Sequence, residues 1–303
     1  MSALQEPAPA DPARHRAGIL AMVACTVLWS MGGVLTRTAS VASGWEAAFL
    51  RSTLLCVAIA ALMLIEHRAR ALAQIAAIGR IGLLSALAWA AMFTCFMLAL
   101  SYTTVANTLV IMGTLPLFAA AAGWIFLREP VPPRTWLAMA AAAVGIGIMF
   151  HDALRAGSLA GSLVALAIPI AAALNYVAVK VGRVDLVPAL LLGGALSALA
   201  AWPQAAPLAA GGREIAIFGA LAVFQLALPC IVFVRFVVPR LSAAEIGLLS
   251  LLEVVLGPLW VWLAQGEEPG AAVLAGGALV LAALAANEGI ALARERRAKN
   301  ARA

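Results

Sequence analysis

The chain is a succession of apolar runs of about twenty residues, separated by breaks too short to hold a domain, and this pattern leaves few folds open. A segment inside lipid finds no water for its backbone N–H and C=O groups, so it must be a helix or a strand of a closed barrel. Barrel strands alternate apolar and polar residues over roughly ten positions. These runs are continuous instead, and rich in the helix formers Ala and Leu. The expectation is an all-α integral membrane protein of about ten transmembrane helices. The runs fall at 17–37, 45–65, 79–100, 104–126, 134–151, 157–180, 186–206, 213–235, 243–264 and 271–292.

With 64% hydrophobic and 11% charged residues, the 303-residue chain lacks the polar side chains needed to cover a soluble domain. Its net charge of +6 is spread over the ends of the runs rather than gathered on one patch, which argues against a nucleic-acid partner. The expected partners are the lipid bilayer and a small-molecule solute, and a homodimer is compatible with the pattern. Cys25, Cys56, Cys95 and Cys230 all lie inside apolar runs without metal-ligand spacing and read as small core residues. There is no P-loop, no HExxH and no paired His/Asp cluster, so no cofactor, no metal and no enzymatic activity are expected.

Lys and Arg set the orientation. With a cytoplasmic N-terminus, Arg14, Arg16, Arg68, Arg70, Arg80, Arg128, Arg134, Lys180, Arg183, Arg235 and Arg240 share the cytoplasmic side with the basic C-terminal tail. The other side keeps Arg37, Arg155 and Arg213, and Arg51 alone falls inside a run. That asymmetry places both termini in the cytoplasm of an inner (plasma) membrane and requires an even number of spans. The Arg14-His15-Arg16 cluster leads into the first run without a cleavage site, so this run reads as a retained span.

The segment Ala106-Asn107 through Leu127-Arg128-Glu129-Pro130 lies without gaps on Ala244-Glu245 through Gly266-Glu267. Each copy is a span, a turn carrying a Glu, and a second span rich in small residues. The copies are separated by an odd number of spans, so the second is inverted, as in secondary transporters. The expected division is a disordered cytoplasmic tail (1–16), a first five-helix repeat (17–151), an inverted second repeat (157–292) and a basic cytoplasmic tail (293–303).

Leu28-Trp29-Ser30, Phe49-Leu50-Arg51, Leu127-Arg128-Glu129, Arg240 through Glu245, and Leu252-Glu253 through Gly266-Glu267 are the matching residues of a resemblance. On them the chain resembles the EamA-type branch of the drug/metabolite transporter superfamily over about residues 17–292. The resemblance implies two inverted five-helix repeats, a central cavity and export or exchange of small metabolites. Family members often carry Pro directly after the Glu of the ninth span. Here Val254 follows Glu253 and Pro258 comes later.

Polar residues inside spans are costly, and their placement is the guide to a pathway. The candidates for lining a substrate site are Ser30, Arg51, Trp89, Asn107, Asn175, Tyr176, Gln225 and Ser250. Interhelical hydrogen bonding is the alternative for each small polar residue. Arg51 can hold an anionic group, or pair with Glu46 or Glu253. Glu253, about ten residues into its span and so near mid-membrane, is the candidate for proton coupling or for a fixed contact between repeats. The resulting function is a secondary transporter that moves a small organic metabolite by alternating access, as an exporter. The alternatives are an intramembrane enzyme acting on a lipid and a non-catalytic scaffold.

The topology is checked with a reporter that is active only in the cytoplasm, fused after Glu268. It is expected to be silent; activity there contradicts cytoplasmic termini.

Overall fold

The computed structural model describes residues 12–37, 39, 43–103, 105–151, 159–182, 184–205, 210–266 and 270–300. Residues 1–11, Arg155, Arg183 and the Glu267-Glu268 turn, named above, lie outside the described residues. Nine helices among them are long and apolar enough to cross a membrane. They are α1 (Ala13–Thr36), α2 (Gly44–Ala77), α3 (Gly79–Tyr102), α4 (Asn107–Leu127), α6 (Leu159–Val181), α7 (Val187–Gln204), α8 (Gly212–Val237), α9 (Ala243–Ala264) and α10 (Ala271–Ala291). A shorter apolar helix, α5 (Pro133–Met149), stands at the expected fifth position.

The outer surface is that of a protein in lipid. Leu20, Ile65, Leu83, Trp124, Phe126, Leu137, Leu163, Phe224 and Leu274 are exposed on many helices. In water a covering of this kind drives association, whereas in a bilayer it is the required solvent match. Conversely, Thr26, Ser52, Ser85, Asn175 and Ser197 are turned inward and buried. Each finds a partner there: Thr26 donates to the Met22 carbonyl, Ser52 donates to Ser197 at 2.9 Å, and Ser85 donates to Asn175 at 2.6 Å.

Several helix contacts have a counterpart when the first five and last five helices are exchanged, although the α2–α3 contact has none of comparable extent between α7 and α8. The α1–α9 contact answers to α6–α4, α3–α6 to α8–α1, and α3–α7 to α8–α2. The α2–α7 and α5–α10 pairs map onto themselves. The α5–α10 pair shares a core cluster with α4 and α9 and is packed closely through small residues. A β-carbon on Gly145 would meet the Gly276 carbonyl oxygen at 2.7 Å and Val280 Cγ2 at 2.9 Å. Thr135 adds a hydrogen bond to Asn287 at 3.1 Å.

Several helices depart from ideal geometry beside the interior. The first span is interrupted at Met31, between Pro12–Ser30 and Gly32–Arg37. α4 is interrupted between Met112 and Leu115, and Pro116 follows at the start of the new segment, where its missing N–H costs nothing. π-helical turns occupy Gly123–Leu127 in α4 and Leu221–Ala227 and Phe233–Val237 in α8. By contrast, Pro169 and Pro258 sit inside uninterrupted helices.

The first helix starts earlier than expected. It is helical from Pro12, so the segment 12–16, expected to be disordered, is structured, and His15 is buried.

Gly145→Leu is expected to destabilise the protein by about 1–3 kcal/mol by forcing α5 from α10. Thermal unfolding of the purified protein measures it; an unchanged midpoint contradicts close packing there.

Candidate functional site

A cavity of about 120 Å³ lies between the two halves of the chain. Its walls are mainly apolar and aromatic, with Met22, Trp29, Trp89, Phe93, Phe96, Leu115, Ile168 and Phe233 among them. The rings form a connected slab. Trp89 stacks on Phe93 at 5.4 Å between centroids, and Phe233 meets Trp89 edge-on at 6.3 Å and Trp29 at 5.7 Å.

Into this apolar space come Arg51 from α2, Asn175 and Tyr176 from α6, Gln225 from α8, and Ser250 and Glu253 from α9. Trp89 lines it from α3. Two of the candidates lie elsewhere. Ser30 donates to the Val27 carbonyl and accepts from Trp260 Nε1 at 2.7 Å, tying α1 to α9 beside the interruption of the first helix. Asn107 donates to Thr103 at 3.0 Å and to Ser162 at 2.8 Å, tying the start of α4 to the start of α6. Both serve helix-to-helix bonding, because a polar side chain on an inward face meets a neighbouring helix as readily as a cavity.

Arg51 is 2% exposed, and its guanidinium lies over the Phe96 ring at 5.4 Å. It forms no hydrogen bond or ion pair among the described residues, and its Nε and Nη1 are buried without an acceptor. The pairing with Glu46 or Glu253 that the sequence allowed is therefore not made. Glu253 faces the same cavity from α9 and is close enough to interact electrostatically with Arg51, but not in contact with it. Trp89 Nε1 and Gln225 Oε1 are also buried without partners. The other end of the Gln225 amide donates to the Trp29 carbonyl at 3.1 Å, next to the interruption in the first helix. Buried polar atoms are nearly always paired, so this gathering of unpaired ones around a single cavity is a feature to explain.

Beside the cavity lies a polar cluster that the sequence does not reveal. Tyr176 lines the cavity, and its hydroxyl lies 2.9 Å from Glu129 Oε1, to which it donates. Glu129 Oε2 accepts from the Ala243 backbone N–H, also at 2.9 Å. Ala243 opens α9, so the carboxylate sits where a helix presents free N–H groups and the positive end of its dipole. Lys180 lies 3.7 Å from Glu129 and donates to the Val238 and Leu241 carbonyls at 3.0 and 3.1 Å. The start of α9 is itself fixed by a capping box between Ser242 and Glu245. Glu245 then accepts from or pairs with His15 Nε2 at 2.9 Å, joining α1 to the cluster.

Sequence explains how Glu129 reaches this place. α4 ends on Arg128 in the left-handed conformation (φ 55°), which turns the chain sharply. Gly123 leaves the room: a β-carbon there would meet Ala243 Cβ at 2.8 Å and Glu129 Oε2 at 3.3 Å. The repeated Glu-bearing turn was the available signal, but its partner is a backbone N–H more than a hundred residues away, on the other half. Among the described residues, no group of three or more His, Cys, Asp or Glu converges that could hold a metal.

Residues 16–151 match the model of the EamA-like transporter family. A solved crystal structure described only as that of a protein superposes with a TM-score of 0.77 at 17% identity, covering 92% of this chain and 98% of its own. At that identity the likeness shows the fold alone. No curated protein matches by sequence.

Glu129→Ala strands the buried Tyr176 hydroxyl and Ala243 N–H, at a cost of about 1–3 kcal/mol for each group left unpaired. Glu129→Gln is expected to cost less, because its amide oxygen still accepts. Denaturant titration of both purified variants checks the order; equal stability of Glu129→Ala and the parent contradicts the cluster.

Proposed function

We propose that the chain, whose residues 16–151 match the model of the EamA-like transporter family, is a secondary transporter that exports a small organic metabolite by alternating access. One observation carries this reading: a cavity lined by side chains of both halves holds unpaired polar atoms, and its Tyr176 joins it to the Glu129 cluster. A pure scaffold gains nothing from a buried arginine without a partner, whereas a ligand can supply one. Interruptions in α1 and α4 and π-helical turns in α8 border the same space and are natural places for the two halves to move.

In this account residues 17–151 and 157–292 are two inverted repeats in an inner membrane, with both tails cytoplasmic. The cluster of His15, Glu129, Lys180 and Glu245 then closes the cytoplasmic end. Arg51, Trp89, Asn175, Tyr176, Gln225 and Ser250 surround the substrate. Ser30 and Asn107 act on helix packing instead.

No nucleotide-binding motif is present, so an ion gradient or solute exchange drives transport. Glu253 is the group best placed to carry a proton. Its protonation changes the charge of a cavity that contains Arg51, and so shifts the balance between the two access states.

Proteoliposomes with and without an imposed pH gradient test the coupling, with a panel of amino acids, nucleosides and organic acids as solutes. The wild-type protein is expected to accumulate its solute only with the gradient. Glu253→Gln is expected to fold and to exchange solute at a reduced rate, without gradient-driven accumulation. A wild type indifferent to the gradient, or a Gln variant that responds as wild type does, removes Glu253 from the coupling role.

A further inference from the structure

α1 and α9 are tied to each other near both ends. His15 Nε2 lies 2.9 Å from Glu245 Oε1 near their starts, and Trp260 Nε1 donates to Ser30 at 2.7 Å further along. α4 and α6 are tied in the same way. Asn107 donates to Ser162 at 2.8 Å near their starts, and Tyr176 donates to Glu129 at 2.9 Å near their finishes. Those finishes meet the start of α9, because Glu129 accepts from the Ala243 N–H and Tyr176 donates to the Leu241 carbonyl. The Asn107–Ser162 pair therefore stands at the opposite end of the helices from His15–Glu245.

The two pairs also correspond in sequence. Asn107 takes, in the first copy of the repeated segment, the position that Glu245 takes in the second. Ser162 comes three residues after Leu159, the first residue of its helix, as His15 does after Pro12. One end carries an imidazole and a carboxylate where the other carries a hydroxyl and an amide, and of these four groups only the imidazole titrates near neutral pH. From this asymmetry we propose that His15 and Glu245 form a proton-binding clamp: a proton on His15 holds that end of the protein shut, whereas the Asn107–Ser162 pair is indifferent to pH.

The proposal rests on the alternating-access reading and adds a control outside the cavity, separate from Glu253. His15 acts through Glu245 on the start of α9. Glu245 Oε1 faces His15, and Oε2 accepts from the Ser242 backbone N–H and hydroxyl, both at 2.8 Å. Ser242 and Glu245 form the capping box, and the next residue, Ala243, gives its N–H to Glu129. An imidazolium pins the carboxylate with a charge-assisted bond; a neutral ring holds it more weakly. When the end opens, water separates the two and that advantage is lost. The shut arrangement thus takes up the proton, so falling pH favours it and rising pH through the histidine range releases it. The neighbouring charges are otherwise engaged. Arg240 borders α1 at Gly18 but donates to the Phe236 carbonyl, and Arg235 at the end of α8 is held by Glu66 and Asp185. Lys180 and Tyr176 face Glu129, and Arg14 and Arg16 flank His15 at exposed positions.

The test reads the opening itself. Spin labels are attached at Ala17→Cys and Val181→Cys, exposed positions at this end, in the full chain without its four native cysteines, in liposomes. Distance distributions are measured at about pH 8 and about pH 5.5, on either side of the ordinary histidine pKa of about 6.5. The open-to-shut ratio is expected to fall roughly threefold to tenfold at the acid pH, the margin of a charge-assisted over a neutral hydrogen bond. His15→Gln keeps a donor and does not titrate, so it is expected to retain both distances and lose the pH dependence. Glu245→Gln is expected to lose it too, and either variant decides where the other does not fold. A wild-type distribution that is unchanged, or more open, at acid pH overturns the clamp. So does a His15→Gln protein that responds as the wild type does. Opening that follows His15 in a protein that moves no solute upholds the clamp and removes the transport reading.

Discussion

A bilayer core offers no hydrogen-bond partner, so each polar group inside this protein must be satisfied by the protein itself or by what it carries. That constraint shapes the whole molecule. The backbone is satisfied within helices, and the small polar side chains on inward faces pair across neighbouring helices, as Ser52 does with Ser197 and Ser85 with Asn175. Among the described residues, buried atoms without a hydrogen bond on Thr53 and Arg134 lie away from the cavity, whereas those on Arg51, Trp89 and Gln225 meet around it. In the proposed transport reading, the three at the cavity mark the place where a solute completes the structure.

The Glu129 cluster applies the same constraint to the boundary between halves. A carboxylate from the end of α4 satisfies the first N–H of α9 and the hydroxyl of Tyr176, and a lysine from α6 satisfies carbonyls at the end of the preceding segment. In the proposed alternating access, all of these groups are met by water when that end opens. Their exchange for water is near balance, since a hydrogen bond between protein groups is worth only about 0.5–1.5 kcal/mol net when water competes. A closure made of such bonds can hold and still release. The α5–α10 pair is packed through Gly145 and Gly276 and joined by the Thr135–Asn287 hydrogen bond.

Much of this was legible in the sequence because hydropathy is read directly from residue type. Apart from α2, which runs on to Ala77, the membrane helices stand within a few residues of the apolar runs, and a charge inside such a run, as at Arg51 or Glu253, has to face the interior. Ser30 and Asn107 could not be assigned in the same way. Each lies on an inward face, but periodicity does not say whether that face meets a cavity or the next helix. Glu129 was visible as part of a repeated turn, yet its role depends on α9 arriving at the same place with its N-terminus free. His15 lies in a basic cluster, which gives it the look of a tail residue. The helix begins before it, and Glu245 is its partner.

The central claim is that the cavity shared by the two halves is sealed by Glu129 at the end carrying His15. The most direct measurement is labelling of Ser250→Cys by a membrane-impermeant maleimide applied from that side, in a variant with the four native cysteines removed. The account predicts no labelling while Glu129 is present and labelling once Glu129→Ala is added. Ready labelling from that side with Glu129 in place would contradict it.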